Sequence, residues 1–168
     1  MRRFLLFFVV SAVALSCASC RRAAERAREK IRLEAVEQVA PRGLSGVDVT
    51  LRVANGSGHR LVLESAEFDL YYEGSRAGGV TLREAVEVPK RTTLSAETRW
   101  RLRIADPLAC FALVRRLRAG DPSRICVSYD VRGHGGPVPV HLAEEMVPLS
   151  QFLRTFGLSI EDLKNYLG

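Results

Sequence analysis

Alternation of apolar and polar residues is the clearest pattern in the chain. In the segment LSGVDVTLRVAN, every second residue from Val47 to Val53 is apolar, and Asp48, Thr50 and Arg52 stand between them. This period of two places the apolar side chains on one face of a half-buried strand. Asn55–Gly58 contains residues that tolerate positive φ and predicts a chain reversal, after which Leu61–Glu73 alternates again.

Further strands are predicted on both sides of this pair. Ile31–Ala40 alternates imperfectly and predicts a first, bulged strand that ends before Pro41. Gly74-Ser75 and Gly78-Gly79 are expected to bracket a short turn, and Val80–Val88 is expected to form a strand closed by Pro89. The remaining predictions are a polar segment at Lys90–Ala96, strands at Trp100–Ile104, Arg124–Val131 and Val138–Val147, and a turn at Gly133–Gly136. Prolines 137 and 139 favour an edge position for the last strand.

Two segments have helical spacing instead. Asp106 and Pro107 suit the cap and first position of a helix, and Gly120 ends it. Its apolar stripe is Cys110, Leu113, Val114 and Leu117, with Phe111 beside it. We expect this helix to close one end of the fold. The tail is also predicted to be helical, with a stripe over Leu149–Phe156 and a second short helix over Ile160–Leu167.

Short strands at this spacing, separated by Gly, Pro and Asn, are typical of a β-sandwich. The sequence therefore predicts an all-β fold with short helices. It is an antiparallel β-sandwich with a helix inserted between late strands and a helical C-terminal tail. The chain of 168 residues, 47% of them hydrophobic, is long enough to bury one core.

The first residues have the organisation of an export signal. Arg2 and Arg3 form a positively charged start, and Phe4–Leu15 is an apolar run interrupted only by Ser11. This run is too short for a comfortable membrane span, which takes about 20 apolar residues. Small residues and two cysteines follow. The arrangement resembles a bacterial lipoprotein signal, in which the cysteine after the cleavage site receives acyl chains.

Either of two cysteines fits the acylated position, because Ser16 precedes Cys17 and Ser19 precedes Cys20. We predict Cys17, since it lies at the end of the apolar run with Leu15 two places upstream; Cys20 is the alternative. An ordinary cleaved signal peptide or a retained anchor helix are the other interpretations. The predicted organisation is a lipoprotein signal peptide at 1–16, a lipidated tether at 17–30, a β-sandwich domain at 31–149 and a helical tail at 150–168.

The charge changes this picture little. The formal net charge is +6, and removal of Arg2 and Arg3 with the signal peptide lowers it to +4. A surplus of this size favours solubility and weak attraction to anionic surfaces, and it is not the footprint of a nucleic-acid-binding protein. Basic residues within 21–32 are placed to contact anionic head groups beside a lipid anchor, although a solvated tether is the simpler interpretation.

Sequence motifs for catalysis are absent. There is no GxSxG, phosphate loop or Gly-rich dinucleotide fingerprint. His59, His134 and His141 lack the spacing of a zinc-binding helix. Cys17 and Cys20 have CxxC spacing, but their place after the apolar run favours lipidation. We therefore predict no enzymatic activity, no cofactor and no metal site.

Cys110 and Cys126 are a candidate disulfide. Cys110 lies on the stripe of the predicted helix, whereas Cys126 alternates with Ile125 and Val127 and so faces away from the main core. If the helix packs over that outer face, the two sulfur atoms can meet. A bond closing about 15 residues would then add about 3 kcal/mol of stability on the loop-entropy model. Two separate thiols are the alternative.

Several segments together resemble the late embryogenesis abundant (LEA) proteins of type 2, which carry the water-stress and hypersensitive-response domain. The matching segments are LSGVDVTLRVAN, LVLESAEFDLYYEGSRAGGV, VPKRTTLSA, PLACFALVRRL, RICVSYDVRG and VPLSQFL. The family's central strand usually ends in Asn-Pro, whereas Asn55 is followed here by Gly56. The resemblance implies a sandwich of immunoglobulin or fibronectin III type. It also implies a link with desiccation and other stress, without established enzymatic activity.

Two functional hypotheses follow. The preferred one is a membrane-anchored lipoprotein of the bacterial cell envelope, on the periplasmic or outer-membrane face, that acts as a binding or protective module in stress. The alternative is a periplasmic accessory subunit of an envelope complex, docking through an exposed strand edge or the Leu149–Phe156 stripe. The expected partners are the membrane, through N-terminal acyl chains, and an unknown protein or lipid. No nucleic-acid partner is expected, and the oligomeric state is left open.

Overall fold

A computed structural model describes residues 31–43, 45–155 and 158–161. The predicted signal peptide, the tether, and Cys17 and Cys20 therefore lie outside the described residues. The eight strands are β1 (Ile31–Arg42), β2 (Gly46–Asn55), β3 (Leu61–Tyr72), β4 (Ser75–Leu82), β5 (Val86–Val88), β6 (Thr92–Ile104), β7 (Ile125–Gly135) and β8 (Val138–Pro148). Helix α1 (Pro107–Arg118) joins β6 to β7, and helix α2 (Leu149–Thr155) follows β8.

The strands pair antiparallel in the order β1-β2-β6-β4-β3-β7-β8, and β5 pairs with β3. This continuous order divides into two sheets at β6. Strand β6 takes part in both, because its residues Thr92–Arg101 pair with β2 and its residues Trp100–Ile104 pair with β4. The first sheet is the group β1-β2-β6, the second sheet is the group β4-β3-β7-β8, and together they are the two layers of a β-sandwich. The predicted all-β antiparallel sandwich, with a helix between late strands and a helix at the C-terminal end, is confirmed.

The predicted apolar face of β2 lies beside the buried residues of β6. Val49 is opposite Thr98 and Leu51 is opposite Ala96, and both β6 residues are buried. Leu51 itself is only half-buried. The strand is present as predicted, but this sheet is covered less completely than the other one.

The main core lies between the second sheet and the two helices. Its buried residues are Ala77, Ala109, Leu113, Leu117, Ile125, Val127, Leu149 and Leu153. Helix α1 begins as predicted: the Asp106 carboxylate accepts hydrogen bonds from the backbone N–H groups of Leu108 (2.9 Å) and Ala109 (3.1 Å), and Pro107 occupies the first turn. Capping and apolar spacing therefore determine the position and buried face of α1.

The end of β2 is held by Asn55, which is 1% exposed. Its Nδ2 donates to the carbonyl oxygens of His59 (2.9 Å), Val88 (3.2 Å) and Pro89 (2.9 Å). Its Oδ1 accepts from the backbone N–H (3.0 Å) and hydroxyl (2.6 Å) of Ser57. The predicted reversal is present, but the explanation from positive φ was wrong, because Asn55, Gly56 and Gly58 all have negative or extended φ. A buried hydrogen-bond network forms this turn.

The two predicted glycine turns are present but shorter than predicted, with Gly74 (φ +84°) and Gly136 (φ +61°) reversing the chain. Gly78 and Gly79 lie inside β4, and Gly133 and Gly135 lie inside β7. A Cβ atom at Gly79 would overlap the Asp69 carboxylate, and one at Gly133 would overlap the Val62 carbonyl oxygen. These glycines are therefore needed where strands approach closely.

Several strand boundaries differ from the prediction. Pro41 lies within β1, where an edge strand tolerates the missing N–H group. The predicted strand Val80–Val88 is divided between β4 and β5, and β6 begins at Thr92 within the segment predicted to be polar. The bulged character of β1 is confirmed by register shifts after Leu33 and Val36, and so is the edge position of β8.

The stripe of the tail helix packs into the core. Leu149 and Leu153 are each 3% exposed. The Phe152 ring lies 5.7 Å from that of Phe68 and 5.5 Å from that of Tyr129. The hypothesis that Leu149–Phe156 is a docking surface is therefore wrong for its described part. Phe156 and residues 162–168 lie outside the described residues.

Candidate functional surfaces

The two candidate disulfide cysteines lie on different faces of the second sheet. Helix α1, with Cys110, packs against the face that carries Ile125 and Val127. Cys126 lies between these two residues and pairs with Tyr71, so it is on the opposite face. The condition that α1 covers the outer face was wrong, because the apolar residues of β7 point the other way. Both cysteines are free and half-buried.

Two of the three histidines lie beside a carboxylate. His134 Nδ1 lies 2.9 Å from Glu64 Oε1, and His141 Nε2 lies 3.2 Å from Asp130 Oδ1. Hydrogen bonds from Arg132 first, and from His141 second, hold the pKa of the Asp130 carboxyl below its ordinary value. A lowered carboxyl pKa is the opposite of what a general acid needs at neutral pH.

The titratable side chains of the described residues are too dispersed to suggest a metal site. Within residues 31–43, 45–155 and 158–161, no three His, Cys, Asp or Glu side chains come close enough to hold a metal ion. In the same part of the chain, no helix combines the length and apolarity of a membrane span.

Two surface depressions lie on the outer face of the sandwich, and arginine is the most frequent residue in both. The larger has a volume of about 460 Å³ and lies over β3, β4 and β6. The smaller, of about 190 Å³, lies over β2 and β6 and contains Asp48, whose Oδ1 is buried without a hydrogen-bond partner among the described residues. Arg83 contributes to both depressions. Sequence analysis missed this cluster, because Arg42 of β1, Arg83 of the β4–β5 connection and the arginines of β6 are distant in sequence.

Large apolar side chains are exposed at several other places, among them Val39, Leu102, Ile104 and Met146, and two further pairs lie on β8 and on α1. On the edge strand β8, Val138 is 52% exposed and Val140 is 39% exposed. On helix α1, Leu108 and Phe111 point away from the core and are exposed. The sequence predicted an edge position for β8 from its prolines, but it could not show which apolar residues remain uncovered.

Comparisons with known proteins show no family for this chain. No family model matches it, and no curated protein matches it. A solved crystal structure of a protein from Archaeoglobus fulgidus is similar, with 15% sequence identity and a TM-score of 0.41 over 67% of this chain and 90% of that chain. A likeness at this level carries no argument about function. The resemblance to LEA type 2 proteins stays a prediction.

Proposed function

We propose that this protein is a non-enzymatic, lipid-anchored protein of the bacterial cell envelope. Its β-sandwich acts by binding, as an LEA type 2 module connected with water stress. The N-terminal signal and Cys17 support the anchor, and the segments that resemble the family support the connection with stress. In this proposal the acyl chains hold the domain at the membrane, since each buried methylene contributes about 0.8 kcal/mol.

The observation that carries a binding role is the uncovered apolar edge. Val138 and Val140 are exposed at one end of β8, whereas Val147 at the other end is buried. Exposed apolar residues beside unpaired backbone groups are a surface on which another protein or a partly dried membrane can pack. His134 and His141, by contrast, each lie beside one carboxylate, that of Glu64 and that of Asp130 respectively.

The lipid anchor is tested by replacing each candidate cysteine. We expect Cys17→Ser to abolish labelling by radioactive palmitate and to leave an unprocessed precursor, because the acylated side chain is missing. Cys20→Ser is the matched control and should keep both labelling and processing. The reverse result would place the anchor at Cys20. Normal labelling in both variants would contradict Cys17 as the single anchor, and no labelling of the unmutated protein would contradict a lipoprotein.

The protective role is tested by drying lactate dehydrogenase with and without the purified protein. We expect the protein to preserve enzyme activity on rehydration, because its exposed edge covers apolar surface that drying uncovers. The variant Val138→Ser/Val140→Ser should lose most of this protection. Leu108→Ser/Phe111→Ser is the control, since it removes an apolar pair from α1 that is even more exposed than Val138 and Val140. Equal protection by all forms, or by none, would count against the proposed edge.

An accessory subunit of an envelope complex is a second candidate. The observation that favours it is that β1 and β8 are both edge strands, with one side unpaired among the described elements. Such an edge can add a strand from a partner through backbone hydrogen bonds. Isolation from membranes in mild detergent separates the candidates, because an obligate subunit brings one partner in fixed stoichiometry.

A further inference from the structure

The larger depression on the outer face is built around the strand that the two sheets share. It is lined by Glu67, Thr81, Leu82, Arg83, Arg101 and Arg103. Its floor is β4, where Thr81 and Gly79 lie opposite Arg101 and Arg103 of β6. The small outer-face residues of β4 leave a space between the longer side chains of β6 and β3. The depression is therefore a consequence of the strand order.

Positive charge exceeds negative charge in this space. The lining contains three guanidinium groups and one carboxylate. That carboxylate, on Glu67, is engaged by Arg103 at 3.1 Å. The side chains of Arg83 and Arg101 make no ion pair or hydrogen bond with any other described residue. Two guanidinium groups in the depression are thus available to a ligand.

Neighbouring arginines add to the excess of positive charge in the depression. Arg99, Arg101 and Arg103 alternate along β6, so they share one face at a spacing of about 7 Å. The backbone N–H of Arg83 donates to the carbonyl of Arg99 at 2.9 Å, which places Arg83 beside the same row. Glu84 balances Arg99 at 3.2 Å. Like charges at this spacing repel each other, and a bound anion would remove the repulsion.

We propose that this depression binds an oxyanion of the phosphate class, held by Arg83 and Arg101. A planar guanidinium group donates two parallel hydrogen bonds to a phosphate, which a single ammonium group does not. The Thr81 hydroxyl makes no hydrogen bond to another described residue and supplies a further donor. The ligand is free phosphate, a phosphate ester or the head group of an anionic phospholipid. The site stands independently of the lipid anchor and of the β8 edge.

Chemical protection of the arginines tests the proposal with the full chain in a neutral detergent. Phenylglyoxal modifies accessible arginines, and mass spectrometry gives the rate at each one. We expect inorganic phosphate at about twice its dissociation constant to slow the modification of Arg83 and Arg101 about threefold. Arg154 is the internal control, because it is exposed on α2 and also lacks an ion pair among the described residues. Its rate should not change.

A second experiment, with lipid bilayers, identifies whether the bound phosphate group comes from a lipid or from a soluble ligand. The same chain is placed in bilayers of phosphatidylcholine with or without phosphatidylglycerol. Protection by phosphatidylglycerol but not by inorganic phosphate assigns the site to a lipid head group. Protection by inorganic phosphate alone assigns it to a soluble ligand. Equal rates under all conditions, or equal slowing at Arg154, would overturn the proposal.

A pair of charge variants provides a second measurement. Phosphate should raise the melting temperature of the unmutated protein and of the control Arg154→Glu. It should leave that of Arg83→Glu/Arg101→Glu unchanged. Because both arginines are exposed, the double variant is expected to fold. Stabilisation of all three proteins by phosphate would show that the anion acts elsewhere and would overturn the assignment.

Discussion

Replacing Asn55 with Ala is expected to lower the free energy of unfolding by about 3 to 4 kcal/mol. The change removes five hydrogen bonds made by a side chain that is 1% exposed. It leaves the carbonyl oxygens of Val88 and Pro89 without their side-chain donor, and Val88 is buried away from water. Urea denaturation monitored by Trp100 fluorescence measures the loss. Ser95→Ala, at an exposed position on β6, is the control and should change the free energy by less than about 0.5 kcal/mol.

The variant Asn55→Asp separates the lost donor from lost volume. The new carboxyl is almost the same size, but when it is ionised it places a buried negative charge against the carbonyl oxygens of Val88 and Pro89. Burial and these oxygens raise its pKa in the folded state above the unfolded value of about 3.9. Protonation therefore favours the folded state. The variant is expected to be most stable below the unfolded pKa and to lose stability as the pH rises through the folded pKa.

Denaturation at several pH values checks this expectation. Relative to the unmutated protein, the deficit of Asn55→Asp should be small at acidic pH and large at pH 7. A deficit that does not vary with pH would show that the side chain reaches solvent. An Asn55→Ala deficit as small as that of Ser95→Ala would contradict the buried network itself.

The second large effect on stability is expected from a buried leucine of α1, and an exposed leucine of the same helix provides the control. Leu113→Ala is expected to lower the free energy of unfolding by about 3 kcal/mol, because Leu113 is 4% exposed and packs in the main core. Leu108→Ala is the same substitution on the same helix, at a residue that is 82% exposed. It should change the free energy by less than about 0.5 kcal/mol.

Both leucine variants can be compared by urea denaturation in one experiment. The change in helix propensity contributes nearly equally to the free energy of unfolding of both variants, because the same substitution is made on the same helix. The difference between the two results therefore measures core packing. Equal losses, or a larger loss at Leu108, would contradict the orientation of α1 and with it the placement of the core.

Local patterns in the sequence were sufficient for the elements that depend on near neighbours. The period of two identified β2, β3 and β7, and Asp106 with Pro107 identified the start of α1. Capping and strand alternation act over a few residues, so one sequence contains the information. The same reasoning failed for Gly79 and Gly133, because a glycine in a turn and a glycine under a crossing side chain or carbonyl look alike in sequence.

The amino-acid sequence by itself determined an antiparallel all-β fold with one inserted helix, and it supplies the expectation of a lipid-anchored export signal. Only the tertiary structure decided which groups meet. It showed that Asn55 is buried and forms several hydrogen bonds. It also placed Cys110 and Cys126 on opposite faces of the second sheet, and it buried Leu149 and Leu153 in the core. It also brought Arg83 beside the arginines of β6. The physical reason is that these contacts depend on strand order and sheet register, which join residues far apart in the chain.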